Sequence, residues 1–274
     1  MLKFSLLIAQ YNNGKFFKEC YESIINQSYQ DFEIVILDDC STDNSLDIIK
    51  DLVKNDTRFK IFENKENRGC GFTKKKLVEL STGDICGFLD PDDTLSNDAI
   101  EKSIEAYQDE KIVATYSKFM LCDKNLNPQK KHPNSKQVEP FDIYFFNTEI
   151  NISHFFTFKK NIYFKTEGIN PLYKIAEDMD IILKIYEKGN VKFIDKVLYN
   201  YRIHNTGVSS LKNNLKAKVW FTIVIFEACK RRKIDFPIDN IIRNVLGILP
   251  EKYEFSKTKF FKIIFHTYRL IKWK

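Results

Sequence analysis

Over its first 110 residues the chain repeats one unit, a short apolar run followed by apolar side chains at helical spacing. Phe4–Ala9 is the first run, and Phe16, Phe17, Cys20, Tyr21, Ile24 and Ile25 form the first helical stripe. Phe32–Leu37 follows and ends at Asp38-Asp39. Ser41 to Asn44 then offer capping side chains to a helix striped by Leu46, Ile49, Leu52 and Val53. Phe59–Phe62, a helix around Leu77–Leu80 and the run Ile85–Leu89 continue the pattern. Runs that are apolar at successive positions are buried on both faces. The repeat therefore predicts an α/β fold, a Rossmann-like, mostly parallel sheet with helices on both faces.

The pattern loosens after about residue 112. Strands are expected over Val113–Met120, Phe155–Phe158 and Val197–Ile203, a helix over Asp178–Lys188, and a polar connection over Asn125–Pro140. Beyond Leu211 three helical stretches follow, broken near Pro237 and Pro250. Charge divides at the same place. Residues 212–274 hold 15 Lys and Arg against 5 Asp and Glu, a net +10, while the remainder holds 28 against 32, a net −4. The expected organisation is a mildly acidic body over residues 1–210 and a basic helical tail over 211–274. As a helix, Ser256–Trp273 would carry Lys259, Lys262, His266 and Arg269 on one ridge, opposite Phe260, Phe261, Ile264, Phe265, Tyr268 and Ile271. That face suits either an anionic membrane surface or packing on the body.

Other classes fall away. A 43% hydrophobic and 29% charged chain is globular in composition. No apolar run approaches the ~20 residues of a spanning helix, and the first residues lack a signal-peptide cleavage site. The six cysteines include no C-x-x-C pair, which argues against a zinc site or a disulfide framework and for reduced thiols in the cytoplasm. No nucleic-acid-binding motif is present.

Acidic residues end two of the expected strands, at Asp38-Asp39 and at Asp90, Asp92 and Asp93. Ligands of open α/β sheets bind outside those strand ends, although Asp also stops strands and caps helices. Three carboxylates in four residues repel one another. Buried together they call for a cation, and oxygen ligands point to Mg²⁺ or Mn²⁺ bridging to substrate phosphates. A solvated acidic turn is the alternative. Glu177-Asp178 reads equally as a helix start, and Asn67, Arg68 and Gly69 as a plain turn. His154 is either a core histidine or a residue facing a ligand.

In order along the chain, Ser5–Asn12, Val35–Asp43, Asn64–Gly69, Gly83–Asp93, Glu177–Asp180 and Tyr201–His204 resemble six motifs of glycosyltransferase family 2. The likeness covers roughly residues 3 to 209 and implies the GT-A fold. The activity it implies is inverting transfer of a sugar from a nucleotide diphosphate donor, with a UDP-sugar expected, to a glycan or lipid-linked glycan acceptor in surface polysaccharide synthesis. Residues to about 120 would bind the nucleotide sugar, and 121–210 would supply the acceptor side and base. By the same resemblance Asp39 contacts the nucleobase beside Ala9 and Tyr11, and Asp38 supports their turn. Asn67, Arg68 and Gly69 approach the donor. Asp90 and Asp92 meet ribose and metal, Asp93 is the principal metal ligand, and His204 completes the shell. Asp178 would be the base, its pKa raised by Glu177 and Asp180 and opposed by the helix N-terminus. Cys40 stands where the family usually has Gly, and Ala9-Gln10 where Pro-Thr is common. A nucleotidyltransferase that makes nucleotide sugars, or a non-catalytic module binding anionic membranes or nucleic acid, are the alternatives. The reduced thiols and the basic tail together lead to the expectation of a cytoplasmic protein, peripheral on the inner face of the cell membrane.

Overall fold

A computed structural model of the chain describes residues 2–204 and 214–235. Strands β1 (Phe4–Gln10), β2 (Phe32–Asp38), β3 (Phe59–Glu63) and β4 (Ile85–Phe88) lie parallel in the order β3-β2-β1-β4. β1 and β2 run in register from Phe4 opposite Phe32 to Gln10 opposite Asp38. Alternation along these strands feeds two cores. Leu6, Ile8, Ile34 and Ile36 pack under α1 (Phe17–Ile25), α2 (Ser45–Val53) and α4 (Ala99–Ala106). Leu7, Val35 and Leu37 pack on the opposite face with α3 (Cys70–Leu80) and α6 (Glu177–Tyr186).

The second half extends the sheet in mixed directions. β8 (Thr157–Lys159) is antiparallel between β4 and β6 (Ile112–Cys122), and short α5 (Lys160–Tyr163) follows it. β9 (Asn190–Arg202) runs parallel to β6, while β5 (Thr94–Leu95) pairs antiparallel with β9. The expected polar connection contains β7 (Pro128–Lys131), an exposed strand antiparallel to β6. The sheet is thus parallel where the apolar repeat is regular and mixed beyond it. β9 carries Tyr199 to Arg202 back across the molecule to the acidic residues that follow β4.

Helix α7 (Asn214–Arg232) packs on α6, with Val219, Ile223 and Val224 joining Leu183, Phe146 and Tyr173 in a third core. Arg231 and Arg232 both reach Glu187, at 3.0 and 2.9 Å. The first helix beyond residue 211 is therefore packed on the body. The expected helix over Ser256–Trp273 lies outside the described residues. No described helix is long and apolar enough to cross a membrane, and the six cysteines form no disulfide.

Candidate active site

The C-terminal ends of β1, β2 and β4, the start of α6 and the end of β9 surround a cleft of about 1170 Å³. One wall comes from the β2 turn. Asp38 accepts hydrogen bonds from the Ser41 N–H at 2.7 Å and the Ser41 hydroxyl at 2.6 Å, which closes the turn. Asp39 holds the next loop. Its carboxylate accepts from the Asn64 amide at 2.8 Å, the Arg68 N–H at 2.9 Å and the Gly69 N–H at 2.7 Å. Cys40 adopts φ 61°, and Gly69 φ 85°. A side chain in that left-handed region costs of order 1 kcal/mol, which explains why a glycine suits position 40.

Ala9, Tyr11, Asp39, Asn67, Gly69, Asp90, Asp92, Asp93, Asp178 and His204 all border the cleft. Two expected site residues do not. Asp38 is spent on its turn, and the Arg68 guanidinium lies over the Phe72 ring at 4.2 Å.

Beneath the cleft the acidic residues divide. Asp93 is 1% exposed. The Tyr199 hydroxyl donates to one of its oxygens at 2.7 Å and the Arg202 N–H to the other at 2.7 Å. Burial first, then Asp92 and Asp90, push its pKa up, and the two hydrogen bonds oppose them. Both oxygens thereby anchor β9. Asp92 instead meets His204, Oδ2 to Nε2 at 2.6 Å, and the Arg202 Nε–H caps its carbonyl at 2.7 Å. Burial and then Asp90 raise the Asp92 pKa. Among the described residues no three His, Cys, Asp or Glu side chains converge as a protein-only metal site. An oxygen–nitrogen pair such as Asp92 and His204 nevertheless fits a divalent ion that takes its other ligands from phosphate and water.

Asp178 sits in the first turn of α6, open to the cleft yet walled by protein, and its Oδ1 accepts the Met179 N–H at 2.8 Å. That depth, and next the charge of Glu177, push its pKa up to about 6. Asp180 takes no part. It points to the other side of α6 and pairs with Lys184 at 2.8 Å. The idea that Asp180 raises Asp178 is corrected by that geometry. His154 does line the cleft, but within an aromatic stack on Tyr199 at 4.4 Å, and burial pushes its pKa down to about 4. Sequence reasoning missed Lys74 and Tyr199. A lysine in register with Leu77 and Val78 on a buried helix face was the available signal for Lys74; Tyr199 offered none.

The family model for glycosyl transferase family 2 matches residues 5–166, more than half of the chain. The chain belongs to glycosyl transferase family 2. A family relative, the hyaluronan synthase of Pasteurella multocida, is 30% identical over 221 residues, 80% of this chain and 22% of that protein. The chain spans between 22% and 32% of the length of the synthases it matches. S. aureus TarS 1–349 in complex with UDP-GlcNAc superposes with TM-score 0.67 at 20% identity, covering 96% of this chain and 76% of TarS. The mannosyltransferase PcManGT from Pyrobaculum calidifontis, in complex with GDP-Man and Mn²⁺, gives TM-score 0.65 at 16% identity, covering 89% and 68%. The family 2 chain thus has the GT-A fold, and its mixed sheet is the one these enzymes share.

Proposed function

We propose that this chain is an inverting glycosyltransferase that moves a sugar from a UDP-sugar to a glycan acceptor in polysaccharide synthesis, working in the cytoplasm. The carrying observation is that one cleft is bordered by the Asp39 turn, the Asp92–His204 pair and Asp178, in a chain of family 2. The family favours sugar transfer over the nucleotidyltransferase and over a non-catalytic binding module. The names of its relatives and neighbours, a hyaluronan synthase and a TarS bound to UDP-GlcNAc, support a UDP-sugar and a polysaccharide product.

In this reading residues 1–120 bind the donor and 121–210 supply the acceptor side. Asp39, Ala9 and Tyr11 border the nucleobase, Asn67 and Gly69 the phosphates or sugar, and Asp90 the ribose. Asp92 and His204 would hold Mn²⁺ or Mg²⁺, and PcManGT with Mn²⁺ supports a divalent ion. When bound, that ion supplies charge neutralisation for the departing diphosphate. Asp178 accepts the acceptor hydroxyl's proton as that oxygen bonds to the anomeric carbon, and the bond from that carbon to the diphosphate oxygen breaks. A carboxylate with pKa about 6 is mostly ionised at neutral pH and still a useful base.

The test is nucleotide diphosphate release from a panel of nucleotide sugars, with and without Mn²⁺. We expect a UDP-sugar to be hydrolysed only with metal, and Asp178→Asn to lower that turnover by roughly 10²-fold or more with UDP affinity kept. An Asn variant of near-normal turnover would remove Asp178 from the role.

A further inference from the structure

We propose that Lys74 is the positioning residue for the base. It ties α3 to the first turn of α6 through Glu177, so that Asp178 stays ionised and aimed into the cleft. The inference rests on Asp178 being the proton acceptor.

Lys74 is 8% exposed, a burial that lysine rarely tolerates unless paired. It lies on the inner face of α3 with Leu77 and Val78. Its ammonium meets Glu177 Oε1 at 2.8 Å and Asp90 Oδ1 at 3.9 Å. The Cys70 thiol, one turn earlier on α3, donates to the same Glu177 oxygen at 3.1 Å. Two donors from one helix thus fix a single carboxylate oxygen of another. That carboxylate is the chain neighbour of Asp178.

The electrostatics follow from this arrangement. Glu177 alone would repel a second anion at Asp178, while Lys74 offsets that charge and adds its own attraction. Asp90 opposes it from the strand-end side. His154, Lys174, Tyr201 of β9 and Lys218 of α7 also border the cleft and complete the ionisable surroundings. Lys74 is also within 5.5 Å of the Phe88 ring centroid, so its position is confined from the sheet side as well.

The two halves of the pair should therefore act with opposite signs. With Lys74→Met the anion at Glu177 is no longer offset. Protonation of Asp178 then persists to higher pH, and the acid limb of kcat moves up by about one pH unit. With Glu177→Gln the ammonium keeps its charge and loses its partner. It then favours the Asp178 anion, and the limb moves down. A side chain that merely packs would lower activity without displacing the limb, or displace both variants alike.

The experiment is the pH profile of UDP-sugar hydrolysis by the full chain with Mn²⁺, alongside calorimetric UDP affinity. Opposite limb displacements, UDP affinity within about twofold of the parent and partial return of the limb in Lys74→Arg would support the assignment. Unmoved limbs, limbs moving together, or a Lys74→Met defect confined to UDP affinity would overturn it, the last making Lys74 a donor contact. Near-normal turnover in Asp178→Asn would instead remove the base itself, so the two failures are separable.

Discussion

Asp93 spends its carboxylate on the Tyr199 hydroxyl and the Arg202 N–H of β9, whereas Asp92, one residue earlier, meets His204 across the cleft floor. The difference predicts two unlike phenotypes from chemically identical changes. Asp93→Asn would turn an amide N–H₂ toward one of two donors that need an acceptor, inside a site 1% exposed. An unsatisfied buried donor costs about 2 kcal/mol. Urea unfolding should show that loss. Asp92→Asn lies where the ion would be held, so it should keep stability and abolish the Mn²⁺-dependent part of UDP affinity. Calorimetry with and without Mn²⁺ reads the second effect. Metal-dependent UDP binding retained in Asp92→Asn and lost in Asp93→Asn would make Asp93 the ligand.

At the scale of elements, chemistry and stability occupy opposite ends of the parallel strands. The cleft lies at their C-terminal ends, while the N-terminal ends are clipped by Glu33 of β2. Its carboxylate accepts from Ser5 of β1 at 2.7 Å, pairs with Lys60 of β3 at 2.6 Å, and accepts the Thr82 N–H just before β4. Burial alone would raise the Glu33 pKa, but the hydrogen bonds from Lys60, Ser5 and Thr82 outweigh it and bring the value from 4.5 to about 2. A lowered folded-state value stabilises the protein above the unfolded pKa, and that stability is lost as pH falls through the folded one. We expect Glu33→Gln to cost about 2 kcal/mol at pH 7, discounted for the half-exposed lysine. The gap should shrink between pH 4.5 and about 2, as urea midpoints across pH would show, with UDP affinity unchanged. β1, β2 and β4 were legible because most of their positions are apolar. Helix α4 was not, because its buried stripe is Ala99, Ile100, Ser103 and Ala106, small and partly polar. β7 was not because all four of its residues are exposed. In the cleft, Asp39, Asp92 and Asp178 stood out as acidic residues at strand and helix ends. The anchors of Asp93 come from 106 and 109 residues away, and no local pattern announces a contact of that kind.

For the whole molecule, the open matter is where its excess of positive charge acts. The end of α7 looks basic in sequence, yet Arg231 and Arg232 are committed to Glu187, and Arg232 also donates to the carbonyls of Ile143 and Phe145 at 2.8 and 2.7 Å. Lys230 pairs with Glu227 at 3.6 Å. The two arginines hold α7 to the body and Lys230 pairs within the helix, so the basic end of α7 is not a free cationic patch. Lys259, Lys262 and Arg269 are the candidates that a helical spacing would align. Each cation near an anionic leaflet contributes roughly 1 kcal/mol, screened beyond about 10 Å at 0.1 M salt. If the protein works on a lipid-linked glycan, such docking would bring the cleft to its acceptor. The full chain should then sediment with vesicles containing phosphatidylglycerol at low salt and be released at high salt. Reversal of Lys259, Lys262 and Arg269 to Glu should abolish sedimentation while leaving UDP-sugar hydrolysis in solution unchanged. Equal sedimentation of the two proteins, or none by the parent at low salt, would leave the basic tail with no role at a membrane.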